Sequence, residues 1–477
     1  MTLRDCLCYN PTDFTVKGLK IVKPKENKMG VMPVKKLIIN MSLPMMFSML
    51  VQALYNVVDS VFVSRISESA LTAVTLAFPM QNLMIAVASG TGVGINALLS
   101  KSLGEKNYDR ADSAANNGLF LIFLSFVVFA LLGLFCAGPF IAFQTPDEEI
   151  RTLGATYLRI CCTLSFGIFF QMTFERLLQS TGRTVYSMIS QMTGALINII
   201  FDPILIFGLF GFPKLGVAGA AYATVLGQVI AAAVGLVLNL RKNDDIHLSI
   251  KGILHPNRWT IRRIYSVGIP SILMISIGSL MTFLMNMILK PFEATAQAVF
   301  GAYFKMQSFF FMPVFGLNNG LIPILAFNYG ARNRSRIDEA LRFSMKLAVG
   351  IMVAGMLIFE IFPAQLLGLF DASEHMLSIG VPALRIIGLS YPFAAVCIVM
   401  GSIFQAFSRS INSLIVSFGR QLVVLIPAAA LLAHFGGINV LWWAFPLAEV
   451  ASLIISSLLF RKVYREVVEP MPVQESR

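Results

Sequence analysis

Charged residues are scarce in this sequence: Asp, Glu, Lys and Arg make up 13% of 477 residues, against 56% hydrophobic, and the mean hydropathy is +0.75. A soluble domain could not solvate such a surface, so the composition points to an integral membrane protein. The polar–apolar alternation that the strands of an outer-membrane barrel need is missing too, which leaves helical spans. The six cysteines give no disulfide framework. Cys136, Cys161, Cys162 and Cys397 lie in or beside apolar runs and Cys6 and Cys8 in a basic tail, so reduced thiols are expected. No Walker A motif occurs, so direct ATP drive is not expected. The run Gly90-Thr91-Gly92-Val93-Gly94 imitates a nucleotide loop, but it lies inside an apolar span with no strand before it, and close helix packing explains it better. His247, His255, His375 and His434 are scattered, with no His-Glu-x-x-His, and an enzyme is not expected. Residues 1–34 are polar and Lys-rich, interrupted by Pro11, Pro24 and Pro33, and read as a cytoplasmic extension rather than a cleavable signal peptide.

What is present is a duplication. Gly90, Gly94, Gly104, Asn107, Arg110 and Ala114 recur 226 residues later as Gly316, Gly320, Gly330, Asn333, Arg336 and Ala340. The same offset carries Pro44 to Pro270, Gln81 to Gln307, Gln179 to Gln405, Arg183 to Arg409 and Leu158-Arg159-Ile160 to Leu384-Arg385-Ile386. Duplicated membrane halves around a central site are the usual build of secondary transporters. Apolar stretches of spanning length run over 36–63, 71–99, 114–143, 153–180, 184–211 and 216–240, then over 262–289, 296–327, 340–369, 381–407, 411–435 and 438–460. The expectation is an all-α polytopic membrane protein with twelve transmembrane helices in two six-helix lobes. The predicted division is an N-terminal extension at 1–35, a first lobe at 36–240, a linker at 241–261, a second lobe at 262–461 and a tail at 462–477.

The net charge of +12 could suggest nucleic acid, but the basic residues sit between the spans, where they set orientation instead. Even-numbered loops carry Lys101, Lys106 and Arg110, then Arg183, then Arg241 to Arg263, then Arg332, Arg334 and Arg336, then Arg409. Odd-numbered loops carry Asp147-Glu148-Glu149, or Asp371 with Glu374. Positive-inside logic puts both termini in the cytoplasm of a multi-pass protein, expected in a bacterial inner membrane. With six spans per half, the halves enter the membrane the same way round, so a pseudo-two-fold axis along the membrane normal is predicted.

Polar residues inside hydrocarbon are costly and are functional candidates by default. The first span places Gln52, Tyr55, Asn56 and Asp59 on one helical face, and the fifth places Gln191, Asn198 and Asp202 on another. Pro203 follows Asp202 and should loosen the backbone there. The sixth span adds Tyr222, Thr224 and Gln228. Two carboxylates with amide and hydroxyl neighbours suit a small hard cation, or a shared proton; a packing network is the bland alternative. The duplication weighs for a site, because Asp59, Asn198 and Asp202 map to Met285, Val424 and Ala428. The scaffold is kept twice and the acids once. Lys305 reads either as a substrate contact or as a snorkelling cation. Glu175 and Arg176 read as structural, and Glu360 and Glu449 as ambiguous. Pro44 and Pro270 are expected to kink the first and seventh helices as hinges.

The stretch from Gln52 through Tyr55 to Asp59 and Arg65, the run from Gly90 to Gly104 with Asn107 and Arg110, and the segment Asn198 to Asp202-Pro203 resemble the multidrug and toxic compound extrusion (MATE) family. The likeness covers the chain after about residue 36. It implies two lobes around a cavity that opens alternately inward and outward, exporting cationic or amphipathic drugs in exchange for Na⁺ or H⁺. It also implies an ion site at Tyr55, Asp59, Asn198, Asp202 and Thr224, with the Ala220 carbonyl as a further ligand and no other cofactor or metal. The seventh span offers Ser276, Ser279, Thr282 and Asn286, and the tenth has no carboxylate in its membrane interior, so the chain looks closer to the DinF- and MepA-like branch than to one with acids in the second lobe. Gln52, Asn56, Gln191, Asn286, Lys305 and Gln307 are candidates to line the substrate cavity. The partners expected are small organic cations or amphipathic drugs and the lipid bilayer, with no nucleic acid and a monomeric protein. A lipid-linked precursor flippase is the alternative; it would need a cationic cavity for pyrophosphate, where this sequence has acids.

Overall fold

A computed structural model describes residues 26–472 except Glu293 and Asp371, so most of the N-terminal extension and the end of the tail lie outside the described residues. Every regular element described is helical. The first lobe comprises α1 (Lys28–Val31), α2 (Val34–Ser64), α3 (Glu68–Gly104), α4 (Tyr108–Ala142), α5 (Glu148–Thr163), α6 (Phe166–Ser180), α7 (Thr184–Phe207) and α8 (Val217–Lys242). A short α9 (Ile250–Leu254) lies in the connection to the second lobe. That lobe comprises α10 (Arg258–Leu289), α11 (Ala294–Gly330), α12 (Arg334–Ile361), α13 (Pro363–Gly368), α14 (Glu374–Gly388), α15 (Tyr391–Ala406), α16 (Ser410–Phe418), α17 (Ile426–Leu441) and α18 (Ala444–Val463). Among the described residues, ten helices are long and apolar enough to cross a membrane, or twelve when each of two bent pairs is taken as one span.

The boundaries follow local chemistry. Asn107 and its repeat partner Asn333 cap α4 and α12, accepting from the backbone N–H of Arg110 and Arg336. Asn257, five residues before the expected start of the seventh span at 262, caps α10, so that span starts earlier than hydropathy places it. The fourth and tenth spans are the two bent pairs, α5 with α6 and α14 with α15, bent by 45° and 46°. The breaks fall at Leu164-Ser165 and Leu389-Ser390; Gly167 follows the first, and Gly388 and Pro392 flank the second. At the second one the Ser390 hydroxyl donates to the Ile387 carbonyl, a side-chain bond that competes with the helical ladder. The eleventh span contains a π-helical turn, Gly419–Leu425, between α16 and α17. Pro44 and Pro270 lie inside α2 and α10, which continue through them.

The duplication reaches the backbone. Lys106 and Arg332 both have left-handed φ, at 57° and 52°, as do Gly182 and Ser408, at 84° and 58°. It also builds the seam between the lobes, where α3 packs on α10 and α11 on α2. A Cβ on Gly104 would overlap the Phe327 carbonyl, and one on Gly330 the Lys101 carbonyl. Because 101 and 327 are themselves repeat partners, these are one contact made twice. Polar bonds close the same seam. Arg176 donates to Asn319 across it at 3.0 Å, and the hydroxyls of Ser113 and Thr260 meet at 2.9 Å. Both lie toward the end of the bundle that carries the basic loops.

Candidate functional site

Close packing of α7 on α8 prepares the site. A Cβ on Gly227 would come within 2.6 Å of the Gly194 carbonyl and 3.3 Å of the Asn198 Cβ, so glycine there lets the two helices approach. At this contact the Asn198 amide donates to Asp202 Oδ1 at 3.3 Å and to Thr224 Oγ1 at 3.2 Å. Asp202 is fully buried, Asn198 is 2% exposed and Thr224 7%. Ala220 is fully buried one turn before Thr224. From α2, Asp59 comes beside Asp202 and Tyr55 beside Thr224. Gln191 donates to Gln52 at 3.0 Å, tying α7 to α2 on the same side. The residues that the sequence spacing put on separate helical stripes therefore meet.

Three oxygens in this cluster are buried without a hydrogen-bond partner: Asp59 Oδ1, Asp202 Oδ2 and Asn198 Oδ1. An unsatisfied buried acceptor costs about 1–3 kcal/mol. The donor set is all oxygen, which suits a proton or a hard monovalent cation and not a soft metal. No group of three or more His, Cys, Asp or Glu side chains with metal-binding placement occurs among the described residues.

The cluster extends to residues that sequence reading missed. Gln81 on α3 donates to the Tyr157 hydroxyl on α5 at 3.2 Å and approaches Cys161 Sγ at 3.7 Å. Tyr157 and Cys161 lie near Asp59. The test that singled out the acids would have found Tyr157, whose repeat partner is Ala383. In the second lobe the places of Asp59, Asn198 and Asp202 are apolar: Met285 is buried in the hydrophobic core, and Val424 and Ala428 pack against that core.

Other candidates do not join the site. Asn286 turns its amide onto the Thr282 carbonyl of its own helix. Lys305 is exposed and Gln307 half-buried, and no described hydrogen bond links either to the acids. The side chain of Asn56 lies outside the described residues. Arg420, passed over in the sequence, sits on the π turn and pairs with Glu449 at 2.7 Å. Its repeat partner is Gly194, so the second lobe has an ion pair where the first has a helix contact.

With this geometry in hand, comparison places the chain. The MatE family profile matches residues 44–204 and again 270–431, two segments that begin 226 residues apart. The chain is 25% identical to an FAD transporter of Shewanella oneidensis over 437 residues, covering 91% of this chain and 96% of the relative. It is 24% identical to the multidrug export protein MepA of Staphylococcus aureus over 433 residues, covering 90% and 94%. Among solved structures it resembles an outward-facing multidrug resistance MATE transporter of the MOP superfamily, with a TM-score of 0.88, 26% identity, and 93% and 99% coverage. It also resembles a MATE in complex with MaL6, with a TM-score of 0.87, 26% identity and the same coverage. Two matches to one family profile, spanning both halves of a two-lobe helical membrane protein, show that this chain belongs to the MatE family of transporters.

Proposed function

We propose that this transporter is a cation-coupled antiporter that exports cationic or amphipathic organic compounds across the cell membrane by alternating access, with H⁺ or Na⁺ acting at Asp59 and Asp202. The observation that carries this reading is the convergence of three unpartnered oxygens in one lobe, at places where the repeat has only apolar side chains. A cation there would satisfy those oxygens, a shared proton would satisfy the two carboxylates, and an organic passenger that disturbs α2 competes with either. Each unsatisfied oxygen costs about 1–3 kcal/mol. Three of them are therefore comparable to the ~5.5 kcal/mol that inverts a 1:99 population of states. Tyr55, Asn198 and Thr224 hold the acids in place, and Gln52 with Gln191 links the helices that must move together.

The basic loops favour cytoplasmic termini. The seam at that end of the bundle then closes the cytoplasmic side, which is the arrangement in which Asp59, late in α2, communicates with the outer side. The abundance of Phe (39) and Met (24) suits soft, adaptable contact with many substrates. The flippase reading needs a cationic cavity for pyrophosphate, whereas the polar cluster of the first lobe holds Asp59 and Asp202. The FAD transporter relative favours a second reading of the cargo, an anionic flavin nucleotide moved by the same device.

Proteoliposomes loaded with a fluorescent organic cation test the proposal when Na⁺ and pH gradients are imposed separately. One gradient should drive export by the native protein, and Asp59→Asn should insert normally yet lose the driven component. Undiminished gradient-driven export by Asp59→Asn would overturn the coupling role. Vesicles loaded with FAD distinguish the two cargo readings.

A further inference from the structure

The repeat makes two clefts at the basic end of the lobe seam, and they are filled differently. One is bounded by Phe327, Asn328 and Arg336 of the second lobe and by Thr181 and Gly182 of the first. The chain fills it with its own α1. Arg336 donates to the Met29 carbonyl at 3.0 Å and to the Met32 carbonyl at 2.7 Å. Asn328 donates to the same Met29 carbonyl, and Asn27 bonds the Thr181 carbonyl at 3.1 Å. Met29 is completely buried there.

Shifting each boundary residue by 226 gives the twin cleft, bounded by Lys101, Ser102 and Arg110 of the first lobe and by Phe407 and Ser408 of the second. The segment that would correspond to α1 takes another course. It leaves through α9, whose neighbouring backbone is held by Asn116 and Asn117 on α4: His247 and Ser249 bond Asn116, and Asn257 bonds Asn117. The twin remains a cleft of about 520 Å³, and Lys101, Arg110, Arg263 and Arg409 line it against a single lining carboxylate, Glu105. Glu105 is shared between Lys101 at 3.7 Å and Arg110 at 3.6 Å, and Arg409 reaches Glu466 at 3.7 Å. Arg110 and Arg263 both lie over the ring of Trp259, at 5.2 and 5.4 Å from its centroid. The ring holds two like charges side by side at an opening between the lobes, and among the described residues neither guanidinium donates a side-chain hydrogen bond.

In the filled cleft, the arginine that the repeat conserves is satisfied by oxygens. We propose that the open twin is a binding site for a phosphate ester anion whose oxygens take the place that the Met29 and Met32 carbonyls hold in the first cleft. Guanidinium groups match phosphate in a bidentate fork, and basic pockets between transmembrane helices on the cytoplasmic side suit lipid headgroups. Bound there, the anion would tie Arg110 of one lobe to Arg263 and Arg409 of the other and clamp the closed seam.

Thermal unfolding of the full chain in nanodiscs tests this without reference to transport or orientation, since a disc offers the same lipid to both faces. Discs of phosphatidylcholine are compared with discs containing phosphatidylglycerol, and phosphatidylcholine discs are measured with added glycerol phosphate. The native protein should gain about 2–3 °C with phosphatidylglycerol when the lipid is at about 100 times its Kd. Arg110→Gln with Arg263→Gln should lose that gain, as should Arg409→Gln alone, while Arg258→Gln with Arg262→Gln, at basic positions outside the cleft lining, should keep it. A gain from glycerol phosphate that is lost in the same variants would support the site with a soluble ester as its source. No gain from either probe, or an equal gain in native protein and cleft variants, would overturn the proposal.

Discussion

Asp202 shows how a single side chain can be built to be incomplete. One of its oxygens accepts from Asn198, while the other is buried without a partner. Asparagine at this place retains an amide oxygen able to accept from Asn198 but loses the charge. Asp202→Asn should therefore fold with a thermal midpoint close to the native one, yet lose the rise that the coupling ion produces. For the native protein that rise corresponds to about 1.4 kcal/mol at an ion concentration ten times its Kd. Thermal midpoints in Na⁺ against choline, and across pH at fixed salt, measure it. A variant that keeps the full ion response would remove Asp202 from the site.

Among the elements, the π turn at Gly419–Leu425 carries Arg420 toward α18, where Glu449 receives it. π turns inserted in long helices re-aim side chains, and they concentrate at functional positions. Here the result is an ion pair inside an apolar lobe, largely shielded from solvent. Removing one partner from such a pair costs more than replacing both, because it leaves a charge uncompensated. Glu449→Leu should destabilise the protein by about 3 kcal/mol, and Arg420→Met added to it should recover most of the loss. Denaturation of the two variants in detergent decides this. Equal destabilisation by the single and double changes would mean that the π turn itself needs Arg420. The bent pairs make a related point: their bends sit at repeat-equivalent places, yet a hydropathy scan reads each as one straight span. The backbone places the breaks at Leu164-Ser165 and Leu389-Ser390, where mean hydropathy over a span does not change sign.

For the whole molecule, the transport reading requires that the seam at the basic end open. Ser113 on α4 and Thr260 on α10 face each other across it with hydroxyls 2.9 Å apart. Cysteines at both positions, in a background with the native cysteines replaced, should cross-link on oxidation and stop export, and reduction should restore it. Full export with the cross-link complete would exclude opening at that face. The seam is tight for a reason that lies in the duplication: Gly104 and Gly330 make the same backbone approach in opposite directions, so one solution to helix crossing serves both sides.

The sequence by itself determined the helical membrane class, the two-lobe plan and the identity of the acids. Each of these depends on something local or periodic: hydropathy over a span length, an offset of 226 residues, or polar residues where hydrocarbon should be. It also marked Tyr55, Asn198 and Thr224 by helical spacing together with the family resemblance. Only the tertiary structure decided that Asp59 and Asp202 come beside one another, because their helices are distant in sequence and meet through packing of α2, α7 and α8. The same holds for Tyr157 and Gln81, which join the cluster from α5 and α3, and for Arg420, whose direction is set by a π turn. It holds as well for the two clefts: the repeat puts them at equivalent positions and keeps an arginine in each, Arg336 and Arg110, and the path of the chain before each first helix fills one and leaves the other lined with cations. Periodicity fixes which residues share a face of one helix, whereas which faces confront one another depends on how closely the helices can approach.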